Sequence, residues 1–382
     1  MFTIQIYKNS TTQDIQEFLL NHKNSSFFQS EIWAQFNKDY FHKNYYFISV
    51  KDGNEIKLAS LILENNLFLN YKYLYCPSGP IFDFNDIDAF VFFISKIKEI
   101  IGGNIIFLRV EPKIDYSKIR PNKRDSYEVV KNLFLKQLGF KISIDQKQPE
   151  TSLVIDLENR TEEAVLQQMK EKGRYNIKIA ERNNIIVRRT NDIDSFYSLM
   201  QETTRRDGFF ANDKEYYSKL LNDSDNIYLY SAYYENKVIA SAIAAFYGDK
   251  VIYYYGASTS DGKYRKMMAP YILQWSMIKD ALSMHYKYYD FLGISPSIDN
   301  IDNNYYIFNG LKEYIFKNKN DAERFITKHK FYGITQFKTR FGGRTVNYVG
   351  AIDKVYNAPI YYILDFLKIL RRVLRKITKR RI

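Results

Sequence analysis

Residues 227–257 read IYLYSAYYENKVIASAIAAFYGDKVIYYYGA, and this stretch decides the fold of the second half of the chain. Three runs of apolar and aromatic residues are separated by Glu-Asn and Gly-Asp, dipeptides that are typical of tight turns. The pattern predicts three consecutive β-strands. A helix is expected from Pro270 to Met284, because proline suits the first turn of a helix and apolar residues recur at helical spacing. A further strand is expected at 287–292.

The first half of the chain repeats this order of elements. Strands are expected at 45–50, 58–63 and 67–75, followed by a helix over 87–101 and a buried strand over 104–110. Each half therefore contains a strand meander, a helix and a further strand. The sequence predicts two α/β units of similar architecture. The absence of a long linker rich in proline, glycine or serine indicates that the units pack together.

The repeat also gives the expected division of the chain. The first unit is expected over 1–150 and the second over 151–345. Within the second unit, a single long helix is expected from Thr161 to about Glu181. Residues 346–382 are expected to add a returning strand, which the pattern assigns to neither unit, and a C-terminal helix.

Composition limits the possible classes of function. The chain has 382 residues, 46% of them hydrophobic and 26% charged, which is typical of a globular protein and excludes a disordered one. Basic residues outnumber acidic ones by 56 to 43, and the net charge of +13 favours polyanionic partners. The single cysteine, Cys76, excludes an intrachain disulfide and favours a reducing, cytoplasmic compartment. Neither a signal peptide nor a transmembrane run is expected, and the four histidines show no metal spacing.

Seven short motifs occur in an order that is typical of one protein family. They are QSxxW with a lysine five residues on (29–38), LRVEP (108–112), KGR (172–174), TTxRDGF (203–209), YYYGAS (253–258), YDFxG (289–293) and FKxxFGG (337–343). By these motifs the chain resembles the FemABX peptidoglycan-bridge aminoacyltransferases over most of residues 25–356. The resemblance implies an α/β (α+β) fold of two GNAT-like acyltransferase domains, in a short form without the helical arm that some members carry.

The resemblance also implies an activity. Members of the family move an aminoacyl group from charged tRNA to an amine on the stem peptide of a peptidoglycan precursor, either lipid II or UDP-MurNAc-pentapeptide, without a metal or organic cofactor. The resemblance places Lys38 and Arg206 on the diphosphate of the acceptor, a group that such cations neutralise well. It implies that Tyr255 contacts the acceptor sugar or peptide, with Tyr254 as the second candidate. It also implies that Lys338 stabilises the charge that develops during transfer.

Each of these residues also has an interpretation in which it has no role in binding or catalysis. The two cations also fit ordinary surface positions, the tyrosines fit a half-buried sheet face, and Lys338 fits a solvated lysine beside a turn. Glu111 is a second candidate for catalysis, because the family often has an acidic residue there that would orient or deprotonate the attacking amine. A general base must lie within hydrogen-bond reach of the proton that it removes, and the sequence does not give that distance.

A basic stripe is expected on one helix of the second unit. Lys170, Arg174 and Lys178 recur every four residues and therefore share one helical face. Most such stripes are only solvated, but with charged tRNA as the donor, contacts to its phosphates become a second interpretation. Arg174 is the favoured member because it lies in one of the seven motifs.

Residues 360–382 are expected to form a basic amphipathic helix. Apolar residues recur at helical spacing, and eight lysines and arginines against one aspartate give the segment a net charge of +7. Such a helix is typical of an anionic membrane surface, so peripheral attachment to the inner face of the cytoplasmic membrane is expected. A helix docked on the protein body and a tRNA-binding helix are the alternatives.

Alternatives remain for the identity of the acyl donor and for the class of protein. Acetyl-CoA enzymes of the GNAT type bind pyrophosphate with a glycine-rich turn ahead of a helix, whereas residues 265–270 read RKMMAP here. This difference favours a donor other than coenzyme A. The alternatives are a GNAT-like N-acyltransferase that uses a non-tRNA donor on a cell-envelope amine, and a non-catalytic basic protein that binds RNA or membrane.

Overall fold

The computed structural model describes residues 1–222 and 224–379, without the side chains of residue 118 and residues 375–379. Among these residues, no helix is both long and apolar enough to cross a bilayer. The chain divides into two compact units, called unit 1 and unit 2. Unit 1 comprises Met1–Asn24, His42–Glu150 and the described residues from Tyr348 onward, and unit 2 comprises Ser25–Phe41 and Thr151–Asn347.

Strands and helices alternate along the chain. The strands are β1 (Phe2–Lys8), β2 (Tyr45–Asp52), β3 (Glu55–Asn66), β4 (Tyr71–Cys76), β5 (Ile81–Phe82), β6 (Asn104–Val110), β7 (Lys141–Ile142), β8 (Thr151–Asp156), β9 (Ile186–Thr190), β10 (Ile227–Tyr234), β11 (Lys237–Tyr247), β12 (Lys250–Ser258), β13 (Tyr288–Gly293), β14 (Asp299–Ile301), β15 (Asn304–Asn309), β16 (Lys312–Phe316), β17 (Arg344–Asn347) and β18 (Ile352–Val355). The α-helices are α1 (Gln13–Asn21), α2 (Glu31–Phe41), α3 (Ile87–Ile101), α4 (Lys123–Lys131), α5 (Glu162–Gln168), α6 (Glu171–Arg182), α7 (Ile193–Asp207), α8 (Lys214–Asn222), α9 (Gly262–Arg265), α10 (Ala269–Ser283), α11 (Lys319–Ile326), α12 (Tyr332–Lys338) and α13 (Ala358–Lys379).

Each unit is built on one mixed sheet that contains a parallel pair of strands. The order is β1-β2-β3-β4-β6-β18-β7 in unit 1, with β5 paired to β3, and β17-β8-β13-β12-β11-β10-β9 in unit 2. The parallel pair is β4 and β6 in unit 1, with α3 between them in the chain, and β12 and β13 in unit 2, with α10 between them. This confirms the predicted repeat of a meander, a helix and a further strand.

The two parallel pairs differ in length. In unit 1, β4 stays paired with β6 as far as Cys76. In unit 2, β12 and β13 pair over Lys250–Ile252 and Tyr288–Asp290 and then separate. The separation coincides with an irregularity in β13, where Leu292 has a φ of +55°. A leucine in the left-handed region redirects the strand, so that unit 2 has a notch between its parallel strands that unit 1 lacks.

One predicted helix is wrong. The segment from Thr161 to about Glu181 forms two helices, α5 and α6, because Met169 and Lys170 are extended between them. The Thr161 side chain caps α5, as the pattern indicates, by accepting a main-chain N–H. The Lys170 N–H donates to the Arg340 carbonyl at 3.0 Å. This contact comes from a distant part of the chain, which a local pattern does not contain.

Residues 346–352 carry the chain from unit 2 to unit 1. Val346 lies in β17 and pairs with Ser152 in unit 2, whereas Ile352 lies in β18 and pairs with Val110 in unit 1. The segment that the sequence assigned to neither unit therefore supplies a strand to each. Unit 2 also contains a small sheet, β14-β15-β16, which the sequence did not predict.

Close main-chain packing joins α6 to the turn that follows α12. A Cβ atom added to Gly173 in α6 would lie 2.3 Å from the Arg340 carbonyl oxygen, so only glycine allows this approach. In the same turn, Phe341 is buried in the core of unit 2 against Tyr271 and Phe291. The packing therefore fixes the end of α12 against the core.

We expect Gly173→Ala to destabilise unit 2 by about 2 kcal/mol, because the added methyl group overlaps a main-chain oxygen. Gly333→Ala in α12 is the matched control, since its Cβ would meet open space and alanine favours a helix. Urea unfolding followed by tryptophan fluorescence measures the effect, because both tryptophans, Trp33 and Trp275, belong to unit 2. Equal unfolding free energies for the two variants would contradict the packing described.

Candidate functional site

A bulge in β12 brings two tyrosines to one side of the sheet. Strand β11 pairs directly with Tyr253 and Tyr255 but passes over Tyr254, which is the extra residue. The alternation of side chains along the strand is broken there. The rings of Tyr254 and Tyr255 therefore lie together, with centroids 4.2 Å apart. The hydroxyl of Tyr216 in α8 lies 3.3 Å from the Tyr254 hydroxyl and 3.0 Å from the Tyr255 hydroxyl.

These three residues, Tyr216, Tyr254 and Tyr255, are called the tyrosine cluster. Burial raises the pKa of Tyr254 and Tyr255 well above the ordinary value, so both hydroxyls are neutral at neutral pH. Asn212 donates from Nδ2 to the Tyr255 hydroxyl at 3.3 Å. Neutral hydroxyls both donate and accept hydrogen bonds, which suits the polar groups of a sugar or a peptide.

Helix α2 packs against the tyrosine cluster and carries Lys38 on another side. The Phe36 ring lies 5.0 Å from the Tyr216 ring, and the Tyr40 hydroxyl donates to Asp213 at 2.9 Å. Lys38 is exposed, roughly 160° around the helix from both Phe36 and Tyr40. The structure thus places Lys38 on the helix that supports the cluster, with its side chain in solvent.

Arg206 lies in the last turn of α7 and reaches the end of β12. Its Nη1 donates to the Ser258 carbonyl at 3.2 Å, while Nε and Nη2 pair with the Asp207 carboxylate at 2.8 and 3.0 Å. Thr203 strengthens the same junction, since its Oγ1 accepts from the Ser258 N–H and donates to the Ser258 carbonyl. The guanidinium is therefore oriented on the strand that carries Tyr254 and Tyr255, and the side chain is 28% exposed.

Lys338 lies at the notch of unit 2 and is buried, with 6% of its surface exposed. Its Nζ donates to the carbonyls of Phe291 and Gly293 at 2.6 and 2.8 Å. The irregular end of β13 presents both carbonyls, and the Asp290 carboxylate supports this shape by accepting the Leu292 N–H at 2.8 Å. The alternative of a solvated lysine beside a turn is wrong.

The electrostatics of Lys338 follow from this position. Burial lowers the pKa of Lys338 to about 8, and the nearby charge of Asp290 opposes the shift. Among the residues that the structure describes, the two carbonyls are its hydrogen-bond acceptors, and an ammonium group has three N–H groups. Within this part of the chain, the third N–H has no acceptor. The ammonium also lies 5.8 Å from the ring centroid of Tyr253, on the other side of β12 from the tyrosine cluster.

Glu111 lies in unit 1, where it is buried among donors. Its carboxylate accepts from the Tyr75 hydroxyl at 2.7 Å and from the N–H groups of Ser78, Lys147 and Gln148 at 3.3, 3.2 and 3.0 Å. Burial raises its pKa, and these hydrogen bonds oppose the rise. The contacts give Glu111 a structural role in joining two loops of unit 1. Its assignment as a general base stays a prediction.

The basic stripe lies along the start of α6. Arg174 folds back and donates from Nη1 to the carbonyls of Met169 and Gln167, which caps the end of α5. Lys170, immediately before α6, and Lys178, within it, are exposed. The guanidinium of Arg174, the residue that the sequence favours for tRNA binding, is thus held by main-chain carbonyls. The tRNA-binding role of the stripe stays a prediction.

Helix α13 contacts the body of unit 1 both through the apolar side chains of Ile360 and Leu364 and through polar groups. The Tyr361 hydroxyl donates to Asp353 at 3.0 Å, the Lys368 Nζ lies 4.0 Å from the Asp145 carboxylate, and Arg372 donates to the Ile144 carbonyl at 3.0 Å. The opposite side is called the outer face of α13, and its residues are 42–64% exposed: Ile363, Phe366, Leu367, Ile369, Leu370, Val373 and Leu374. The apolar side of this amphipathic helix therefore points to solvent.

Part of the predicted basic segment lies outside the described residues. Arg371 is exposed on α13. The side chains of Arg375, Lys376 and Lys379, and all of residues 380–382, lie outside the description. Over the described residues, no group of three or more His, Cys, Asp and Glu side chains is placed to hold a metal ion.

The buried lysine gives a prediction about stability. The pKa of Lys338 is lower in the folded chain than in the unfolded chain. Between about pH 8 and 10.5 the unfolded chain therefore binds more protons, and the free energy of unfolding rises with pH in that window. We expect the unfolding free energy of the unaltered chain to rise by about 2 kcal/mol relative to Lys338→Met between about pH 7 and 10. Urea unfolding followed by tryptophan fluorescence measures the difference. A difference that does not change with pH would contradict the burial of a titrating ammonium.

Comparisons with known proteins identify the family to which the chain belongs. The sequence model of the FemAB family matches residues 10–235 and 225–369. The UDP-N-acetylmuramoylpentapeptide-lysine N(6)-alanyltransferase of Weissella viridescens is 25% identical over 317 residues, which cover 81% of this chain and 84% of that protein. The lipid II:glycine glycyltransferase of Staphylococcus epidermidis is 22% identical over 437 aligned positions, which cover 94% of this chain and 95% of that protein.

Among solved structures, the crystal structure of FemX is similar with a TM-score of 0.73 and 18% identity, over 94% of this chain and 99% of that one. This likeness confirms the fold expected from the resemblance. The family match spans most of both units. Six of the seven motifs that predicted it lie in unit 2, and LRVEP lies in unit 1. The chain therefore belongs to the FemAB family.

Proposed function

We propose that this chain is an aminoacyltransferase that adds an amino acid to an amine on the stem peptide of a peptidoglycan precursor. Membership of the FemAB family supports this function, as do relatives named for transfer to lipid II and to a UDP-linked pentapeptide. The observation that carries the proposal is the buried ammonium of Lys338, which keeps one N–H for a ligand. A buried cation without an ion-pair partner is costly, so its position favours a catalytic role.

The proposed chemistry is attack of the acceptor amine on the ester of an aminoacyl-tRNA. A carbon–nitrogen bond forms, the carbon–oxygen ester bond breaks, the amine loses a proton and the ribose hydroxyl of the tRNA gains one. The tetrahedral intermediate carries an oxyanion, which the Lys338 ammonium would stabilise more than the neutral ester. Because the ester is already activated, positioning of the two substrates supplies much of the remaining acceleration.

The proposed acceptor site combines the tyrosine cluster with two cations. The neutral hydroxyls of Tyr254 and Tyr255 would bind the sugar or the peptide, and Arg206 and Lys38 would neutralise the diphosphate. Arg206 is oriented for this by Ser258, whereas the exposed Lys38 would contribute as a point charge. The Asp207 carboxylate competes with a phosphate for the same guanidinium.

The proposed tRNA contacts lie at the start of α6. Lys170 and Lys178 are the exposed members of the basic stripe, so they would follow the phosphates of the donor. Arg174 would act indirectly, because its guanidinium caps α5 beside Lys170. This division of roles differs from the sequence-based expectation, in which Arg174 is the favoured member of the stripe.

We propose that the protein acts at the inner face of the cytoplasmic membrane. The outer face of α13 is apolar over seven exposed residues, and a patch of this kind marks an interaction surface. The charged side chains of Lys368 and Arg372 contact the body of unit 1, so the helix is already docked with its apolar side outward. Arg371 and the basic residues of 375–381 would add attraction to anionic lipids.

The experiment for the proposed function uses the full chain, charged tRNA with a labelled amino acid, and both lipid-linked and nucleotide-linked precursors. We expect transfer by the unaltered chain and a loss of about 10²–10³ in rate for Lys338→Met, because the oxyanion loses its cation. Lys328→Met, at an exposed lysine of the same unit, is the matched control. Transfer from a non-tRNA donor alone, or binding without turnover, would establish one of the alternative functions instead. An unchanged rate for Lys338→Met would contradict the role of the lysine.

The acceptor site gives a separate prediction. We expect Arg206→Gln to raise the KM for the acceptor about 10- to 100-fold with a smaller change in kcat, because a charge-assisted contact to the diphosphate is lost. Arg205→Gln is the matched control at the exposed neighbouring arginine. Steady-state kinetics with the nucleotide-linked precursor measure both values. A fall in kcat at constant KM would place Arg206 outside the acceptor site.

A further inference from the structure

The hairpin between β3 and β4 ends in exposed apolar residues. Leu69 is 81% exposed and Phe68 is 48% exposed. Leu69 has a φ of +49°, in the left-handed region that favours glycine or asparagine. Neither the backbone geometry nor contact with water favours a leucine at this position. The exposed pair, Phe68 and Leu69, is called the hairpin tip.

The hairpin tip is attached to the same core as α13. Leu67 and Tyr71 at the base of the hairpin pack against a cluster formed by Ile106, Phe107 and Tyr361. The Phe68 ring lies 6.1 Å from the Tyr71 ring. On the α13 side, two further residues pack against that cluster, Ile360 and Leu364. One group of buried side chains in unit 1 therefore holds both the hairpin and the first turns of α13.

The charges around the hairpin tip suit entry into the surface of a bilayer. Residues 65–71 contain no charged side chain, and their polar members are asparagines and a tyrosine. The next charged residue, Lys72, is paired with Glu64 at 2.7 Å. Uncharged apolar residues enter the boundary of headgroups and acyl chains at little desolvation cost, whereas Arg371 and the basic residues of 375–381 favour anionic lipids.

We propose that the hairpin tip inserts into the same anionic membrane surface as the outer face of α13, as a second anchor. This inference rests on the proposed membrane association. A single interfacial helix leaves the protein free to roll about the helix axis. A second apolar contact, held by the same core, fixes the orientation of unit 1 on the lipid and adds affinity, because the two contacts are linked within one molecule.

The test compares variants of the full chain on vesicles of phosphatidylcholine and phosphatidylglycerol in equal parts, by co-sedimentation. We expect Phe68→Ser combined with Leu69→Asn to weaken vesicle binding about tenfold, because two apolar side chains no longer leave water. Asparagine at 69 keeps a residue that tolerates the left-handed backbone. The matched control is Leu20→Ser combined with Val91→Ser, at exposed apolar positions of α1 and α3 in the same unit. Circular dichroism melting checks that each variant is folded.

A third variant, Phe366→Ser combined with Leu370→Ser, separates the two proposals. If it weakens binding while the hairpin variant binds like the unaltered chain, the second anchor is overturned and the attachment through α13 stands. If the unaltered chain does not bind the vesicles, both proposals are overturned. If the hairpin variant changes the oligomeric state in light scattering instead of vesicle binding, the hairpin tip contacts a second copy of the chain, which also overturns the inference.

Discussion

The buried ammonium of Lys338 on two main-chain carbonyls is the interaction on which the candidate site depends. Its lowered pKa of about 8 means that the charged form costs about 3 kcal/mol at neutral pH relative to a lysine in water. The carbonyls of Phe291 and Gly293 are available because β13 leaves its regular pairing with β12. The close contact between Gly173 and Arg340 fixes the turn that follows Lys338. The notch and its cation are therefore parts of one arrangement.

Two irregular strands give unit 2 features that unit 1 lacks. Both units have the same order of strands, yet β4 and β6 stay paired to their ends. In unit 2, the irregularity of β13 orients carbonyls toward Lys338, and the bulge of β12 turns Tyr254 and Tyr255 to one side. Arg206 is tied to the end of the same β12. The two sheets thus differ in where their register is irregular, and the proposed chemistry falls in the unit with the open strands.

The sequence predicted the parts of the structure that local patterns determine. The alternation of apolar residues and turns gave the meander of unit 2, and Pro270 marked the start of α10. The patterns did not give the break between α5 and α6, because it depends on a contact between Lys170 and Arg340. They did not give the bulge at Tyr254 either, since a bulge depends on pairing with a neighbouring strand. Contacts distant in sequence decide such features.

The motifs identified candidate residues but not how these residues are arranged. The structure places three of them, Lys338, Tyr255 and Arg206, on or beside β12 and β13 of unit 2. The contacts of Arg174 and Glu111 were not predicted, because both side chains are held by main-chain groups that no motif contains. For α13, the amphipathic pattern was predicted, but the side that meets the body depends on Asp145 and its neighbours.

Mass spectrometry of the muropeptides from cells with and without this protein tests the proposed activity. We predict that cells without the protein lack muropeptides in which an extra amino acid is joined to the side-chain amine of the stem peptide, and that a chain with Lys338→Met does not restore them. Identical muropeptides in the two kinds of cell would contradict the proposed activity.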